Sequence, residues 1–303
     1  MKKIAAFFDQ PGAMEYPFNR DEYVTSYQEL NQEIKNVGAA LYIVRSQDTY
    51  LGNGQFSKSW QFTDKGEVVE SGPITADCVY NKGSFITDNK VALSNSAELH
   101  DICIDKWKTY HFLKEYCPAT FLLESEADYQ VKIALITTQK IVIKPQDQEE
   151  GTGVFIGDKE YIDSLDKEYP LLMQEFIDSS GGISGIVEGI HDLRIALMDG
   201  EVVYAFVRTP PAGLLTANVA LGGTLKYIEF ADIPQDALEF AKSVDTKFEK
   251  YGDRFYGIDM AYTPTGFKVI ELNSALGLQQ NSRHQIVVAF KKKLAQYLLK
   301  RAR

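Results

Sequence analysis

An α/β architecture of two or three domains is predicted by three features of the chain. Ile4–Phe8, Tyr23–Val37 and Ala40–Val44 read as strand, helix and strand, with Gly38 just past the helix end. Two later segments, Arg194–Val207 and Phe255–Asn273, alternate as β-hairpins. The length of 303 residues suffices for several sizeable cores.

Taken in order, the first strand–helix–strand unit leads into the aromatic, glycine-rich stretch Tyr50–Phe62, a hairpin or ordered loop, then a turn at Asp64-Lys65-Gly66 and a short strand at Cys78–Tyr80. Ser94-Asn95-Ser96 offers a helix cap and a domain boundary. Asp105–Cys117 reads as a helix ended by Pro118, with Trp107, Tyr110, Leu113 and Tyr116 as its buried stripe. Lys140–Lys144 is a strand leading into Pro145 and the loop QDQEEGTG, and Val154–Ile156 is another strand. Leu171–Ile177 is apolar before a polar, glycine-rich turn. Asp199-Gly200 is a two-residue hairpin turn that pairs Met198 with Glu201 and Arg194 with Ala205. Asp236–Tyr251 is an amphipathic helix, with Leu238, Ala241, Val244 and Phe248 inward and Gly252 at its end. A final helix runs from about Ser282 and ends in Lys300, Arg301 and Arg303, which suit a helix C-terminus.

A net charge of −10 and a pI near 5.0 argue against nucleic acid or an anionic membrane as the main partner. The apolar runs are too short for a spanning helix, and Ile4–Phe8 is too short for a signal-peptide core. Three scattered cysteines, Cys78, Cys103 and Cys117, suggest a reducing compartment and no zinc site; His100, His111, His191 and His284 lack metal-ligand spacing.

The chemistry concentrates in FYGIDMAYTPTGFKVIELN, residues 255–273. A three-residue loop, Pro264-Thr265-Gly266, with Gly in the left-handed position, pairs Thr263 with Phe267 and Asp259 with Glu271. Asn273 then shares the face of Glu271, and Gly257 and Ala261 leave room there. Ile258, Met260, Ile270 and Leu272 form the core face. Facing carboxylates repel, so a positive species, such as a hard divalent cation, should lie between them; a solvated hairpin with scattered acids is the plain alternative. Lys144 ends a buried strand beside Gly151-Thr152-Gly153, a loop able to approach phosphate oxygens, although an ordinary turn fits as well. Lys106 sits at a helix start, where a bound anion would explain a cation, with Lys108 as a competitor and a solvated lysine as the simpler account. Arg194 and Arg208 fall on opposite faces by strict alternation. They converge only if the strand breaks near Thr209-Pro210; otherwise they pair with acids such as Asp192. Gly222-Gly223, in the loop NVALGG, permits close backbone approach.

In this order the segments DKWKTYHFLKEYCPAT, IVIKP, EEGTGV, MQEFI, DLRIALMDGEVVYAFVR, NVALGG, GIDM and VIELN resemble the ATP-grasp superfamily, in its glutathione synthetase and ribosomal-protein glutamate ligase branch. The resemblance runs from about Asp105 to Asn273. It implies an N-terminal Rossmann-like α/β domain (1–98) and an α+β ATP-grasp fold in two parts (99–174 and 175–303), with ATP between two sheets. It implies that Lys106, Lys144, Gly151, Thr152, Gly153, Gln174, Glu175, Phe176, Ile177 and Asp178 bind ATP, with Glu175 and Ile177 meeting adenine through backbone groups. Arg194, Arg208 and Asn218 would act in catalysis, and Asp259, Glu271 and Asn273 would hold Mg²⁺, two ions, with Mn²⁺ able to substitute. The implied activity is a carboxylate–amine ligase working through an acyl phosphate on an amino acid, small peptide or peptide tail. A kinase on the same scaffold and a non-catalytic nucleotide-binding protein are the alternatives. Carboxylate and amine substrates are then the partners, the location cytoplasmic, and a dimer or tetramer compatible with the family. Two departures stand out: Thr216 replaces an arginine usual in relatives, and the glycine loop carries Glu149-Glu150.

Overall fold

A computed structural model of the chain describes residues 1–83, 88, 90–146, 153–217, 222–278 and 284–302. Its strands form four sheets. The N-terminal sheet has six strands, ordered Val68–Glu70, Trp60–Phe62, Ala39–Arg45, Lys2–Phe8, Cys78–Asn81 and Ala92–Leu93. The last four named are parallel, and the hairpin Trp60–Glu70 adds antiparallel to one edge. Helix Asp21–Asn36 makes the crossover between the first two parallel strands, and Gly38 (φ +81°) closes it. Of the Tyr50–Phe62 stretch, Tyr50–Gly52 and Gln55–Phe56 form a hairpin in a small separate sheet with Ile74–Thr75.

An antiparallel sheet of four strands follows, ordered Thr120–Leu123, Leu171–Glu175, Ile141–Lys144 and Phe155–Gly157. The third is antiparallel with five strands: Thr224–Ile228, Glu201–Thr209, Asp192–Met198, Phe255–Thr263 and Gly266–Asn273. One face of this sheet packs its Leu193, Ile195, Ile258 and Met260 on helix Gln235–Thr246 and on Leu99, Cys103 and Leu113. The other face divides. Toward the Asp199-Gly200 turn, Ala196, Met198, Tyr204 and Phe255 join Phe290, Leu294 and Leu298 of helix Gln285–Arg301, in a core continuous with Ile4, Leu41 and Ile43 of the N-terminal sheet. Toward its other end the same face carries charge.

The expected helix Asp105–Cys117 is shorter, Lys106–Phe112, and a separate helix, Ala97–Ile104, precedes it. Asp105 separates the two by turning its carboxylate back to cap the second helix at the N–H groups of Trp107 and Lys108 (2.9 and 3.1 Å). Ser96 caps the first, as the sequence suggests. The last helix is described over Gln285–Arg301, capped by His284.

The exit of the last hairpin is fastened by the N-terminal region. Buried Asn95 donates to the carbonyls of Phe255 and Ser274 (2.7 and 3.1 Å) and accepts from the N–H of Phe255 (2.7 Å). Lys82 donates to the carbonyls of Ala275 and Leu276, each at 2.5 Å. Among the described residues no helix is long and apolar enough to cross a membrane.

Asn95→Ala would strand three buried backbone groups at once. A loss of ~2–4 kcal/mol in urea unfolding is expected, at 1–3 kcal/mol for each unsatisfied group with partial relaxation.

Candidate functional site

The charged part of the five-stranded sheet is one row of side chains across four strands. Phe206 pairs with Arg194, Arg194 with Asp259, and Asp259 with Glu271. The next position along carries Asp192 opposite Arg208. Both hairpins reach this arrangement through a β-bulge. In the first, the ladder slips between Ala196 and Leu197, so Arg194 faces Phe206, not Ala205, and Arg208 comes onto the face of Arg194 with no strand break. In the second, the turn is the two-residue Pro264-Thr265, with Thr263 paired to Gly266 (φ +105°) rather than to Phe267. A slip beside Asp259 restores the Asp259–Glu271 pair and leaves Ile270 as the extra residue. Ile270 therefore leaves the core face, where Val269 and Phe267 take its place, and lines the crevice beside Glu271.

That crevice lies between the outer strand Gly266–Asn273 and the four-stranded sheet. Lys106, Thr109, Tyr110 and Cys117 line it from one side, and Thr120, Lys144, Leu172 and Gln174 from the other. Lys144 is 6% exposed and donates to Gln174 Oε1 (3.0 Å), whose Nε2 donates to Thr120 (2.8 Å). The two lysines are tied together behind the crevice. The N–H of Lys106 donates to the carbonyl of Gln146 (3.2 Å), and the Gln146 amide donates to both oxygens of the capping Asp105 (3.1 and 3.0 Å). Gln146 and Asp105 escape sequence reading because each acts on a distant element through an ordinary polar side chain. Lys108 points elsewhere, onto Asp101 (2.7 Å), whereas Lys106 lines the crevice.

Asp259 is fully buried, accepts from Arg194 Nε and Nη2, and accepts from Arg208 Nη2 at 2.7 Å. Arg208 Nη2 also holds Asp192. Asp192 is thus a buried partner in the site, not a surface acid. Burial pushes the Asp259 carboxyl upward, but the two guanidiniums outweigh it and hold it below the usual carboxylate range. Glu271 goes the other way: burial raises it and the Asp259 charge raises it further. Burial of Lys144 lowers its ammonium to about 8, with Glu271 opposing and Lys106 adding to the shift.

Asp259 and Glu271 are directly paired across the hairpin on one face. Two carboxylates so paired need a proton or a cation between them. A carboxylate has about four lone-pair sites, and the guanidiniums occupy three on Asp259, so one remains. Among the described residues no three His, Cys, Asp or Glu side chains converge on a metal position. Carboxylates and the amide oxygen of Asn273, which accepts from the Ala275 N–H at 3.0 Å, are donors of the kind a hard cation such as Mg²⁺ prefers.

The other expected residues are distributed as follows. Glu175 turns its carboxylate to the N–H of Thr137 (3.0 Å) and gives its own N–H to the Ala119 carbonyl (2.9 Å). The Phe176 N–H goes to Lys140 O (3.4 Å) and Thr138 Oγ1 (3.3 Å), while Ile177 is half-buried and Asp178 is exposed, accepting from Ser180. Gly153 lies two residues before the strand Phe155–Gly157, with φ +70°. Gly151, Thr152, Glu149, Glu150, Asn218 and Ser282 lie outside the described residues. Phe206, whose ring lies beneath both arginines, carries no sequence signal, since a strand phenylalanine reads as core.

Residues 103–298 match the model of the RimK-like ATP-grasp domain. A probable alpha-L-glutamate ligase of Psychromonas ingrahamii is 25% identical over 206 residues, covering 65% of this chain and 61% of the relative. The namesake of Legionella pneumophila strain Corby is 26% identical over 206 residues, with the same coverage of each chain. The chain thus spans about three-fifths of the length of these relatives. Among solved structures, the VanG D-Ala:D-Ser ligase of Enterococcus faecalis superposes with a TM-score of 0.68 at 14% identity, covering 100% of this chain and 99% of that one. A RimK domain ATP-grasp protein of Sphaerobacter thermophilus gives 0.63 at 14%, covering 98% and 99%. These likenesses bear out the ATP-grasp fold.

The raised Glu271 carboxyl has a consequence for stability. A carboxyl raised by folding binds its proton more tightly in the folded state, so the folded state loses stability as pH climbs from the unfolded carboxyl range through the raised value. With chelator present, Glu271→Gln is expected to raise Tm at neutral pH, and the gain should vanish below the carboxyl range. Thermal melts across pH check this; a lower Tm at pH 7 would mean that the charged Glu271 stabilises the ligand-free protein.

Proposed function

Since the chain belongs to the RimK-like ATP-grasp family, as the match over residues 103–298 shows, we propose that it is an ATP- and Mg²⁺-dependent carboxylate–amine ligase. One observation carries the reading: Lys106, Lys144 and Glu271 line one crevice, and Glu271 is the edge of a cluster of two arginines and three acids in an otherwise acidic chain.

In the proposed reaction a substrate carboxylate attacks the γ-phosphate of ATP and ADP leaves. An amine then adds to the acyl phosphate, loses a proton, and expels phosphate to give the amide. Charge grows on phosphate oxygens in the first step and on the acyl oxygen in the second, so positioned cations do most of the catalysis. Lys106 and Lys144 line the crevice and would neutralise the polyphosphate. Arg194 and Arg208, already aimed by Asp259 and Asp192, would meet the transferring phosphoryl group or the acyl phosphate. Asp259, Glu271 and Asn273 would hold the magnesium, two ions as proposed, with manganese able to replace them. The bound metal would act as a Lewis acid on the phosphates. Asn218 and the loop at Gly151-Thr152-Gly153 belong to the same proposal, the loop closing over ATP to keep water from the acyl phosphate. Glu175 and Ile177 would meet adenine through backbone groups. The names of the curated relatives support an amino-acid amine, with L-glutamate the first to try, and an amino acid, small peptide or peptide tail as the acid. We place the protein in the cytoplasm and divide it at residues 98 and 174.

The test is ADP release from ATP and Mg²⁺ with a panel of amino acids and small carboxylates, with product analysis. Amide formation and hydroxamate trapping by hydroxylamine are expected. A stable phosphorylated product without an amine requirement would make it a kinase, and nucleotide binding without turnover a regulatory protein. Glu271→Ala should cut metal-dependent turnover by at least ~10²-fold, the scale for losing one preorganised electrostatic contact, with the fold intact by circular dichroism. Full activity in that variant would remove the metal assignment.

A further inference from the structure

We propose that Phe206 is a positioning residue that aims both site arginines, a role that rests on the ligase reading for its kinetic consequence but not for its geometry. The guanidinium carbons of Arg194 and Arg208 lie 5.5 and 5.7 Å from the centroid of this one ring. Both separations fall within the range where a cation is drawn to an aromatic face. The ring itself is fixed: Tyr204 stacks on it (5.8 Å, 6°), Tyr227 meets it edge-on (6.1 Å, 88°), and it is 2% exposed.

The need for such a platform follows from the charges. Arg208 must serve Asp192 and Asp259 through one nitrogen, Nη2, while its Nε is buried without a hydrogen-bond partner. The carboxylates thus fix one end of this guanidinium and leave its plane to be set by something else. Two like charges are also held close together, and Asp259 answers both. A ring face beneath the pair supplies attraction to each cation without taking up an N–H. It keeps the remaining donors of Arg208 for an incoming anion. The bulge between Ala196 and Leu197 is what brings Phe206 to this place, opposite Arg194.

The test uses the full chain labelled at arginine and observed by NMR without nucleotide. Ring currents from Phe206 should shift the side-chain resonances of Arg194 and Arg208, assigned through Arg194→Lys and Arg208→Lys. The shifts should vanish in the volume-matched Phe206→Met and persist in Phe206→Tyr. In ADP release with ATP, Mg²⁺ and the acceptor found in the panel, Phe206→Met should lower kcat ~10-fold, the scale of one desolvated cation–aromatic contact. KM for ATP should stay within about twofold, and Phe206→Tyr should restore most of the rate. Unshifted arginine resonances in the wild type would overturn the proposal, and so would unchanged kcat in Phe206→Met or equal impairment of Phe206→Tyr. If Phe206→Met fails to fold, the wild-type shifts decide. Wild-type protein with shifted arginines but no amide product would sink the ligase reading and leave the platform standing.

Discussion

A fully buried carboxylate, Asp259, sets the terms for everything around it. An isolated buried charge of this kind would cost several kcal/mol, and removing one partner of such a pair typically costs ~3–5 kcal/mol. The sheet meets the demand with Arg194 and Arg208, but two arginines then need more negative charge than one carboxylate provides. Asp192 supplies it from the neighbouring position. Glu271, on the next strand, brings a further carboxyl whose ionisation burial and the Asp259 charge oppose. The group reads as a single charged unit set into an antiparallel sheet, with only its Glu271 side open toward the crevice.

Keeping that unit in register with the lysines across the crevice is a problem of tertiary structure. The lysines belong to a short helix and to the four-stranded sheet, the carboxylates to a different sheet. Two polar clamps brace the two sides. Asp105 and Gln146 lock the start of the Lys106 helix to the end of the Lys144 strand. Asn95 and Lys82 lock the chain after Asn273 to the N-terminal sheet. The C-terminal helix, with Phe290 and Leu294 in the core shared by both sheets, makes the N-terminal region a structural support of the hairpin.

Strands, turns and the identities of the charged residues were legible in the sequence because they depend on alternation and local turn chemistry. The Asp199-Gly200 turn is one case: φ of +51° and +83° are what a two-residue hairpin turn asks of that pair. Caps were partly legible, as Ser96 shows, but the helix end at Phe112 was hidden by a stripe, Trp107 to Tyr116, that continues past it. The strand Thr120–Leu123 and the helices Glu126–Lys132 and Lys159–Asp163 went unread, being short segments whose burial comes from distant partners. Partners such as Gln146 for Asp105, or Thr137 for Glu175, depend on which elements meet, and local pattern holds no record of that.

The two bulges mark the limit most sharply. Strict alternation predicts the wrong neighbour for Arg194, the wrong face for Arg208 and the wrong face for Ile270. In each hairpin one extra residue on one strand reverses the parity of everything beyond it. For Asp259 and Glu271 a second error hides the first: the expected three-residue turn and the actual two-residue turn plus bulge lead to the same pairing. The agreement on that pair therefore says little about the route, whereas Ile270 distinguishes the routes, since only the bulged ladder places it beside Glu271 in the crevice. The bulges also carry the chemistry. Without the slip at Ala196/Leu197, Arg208 would lie among the helices on the opposite face, Asp259 would have one guanidinium instead of two, and Phe206 would not lie under Arg194. An irregular ladder is the condition for gathering two arginines and three acids on one face, because regular strands of this sequence would divide them between two.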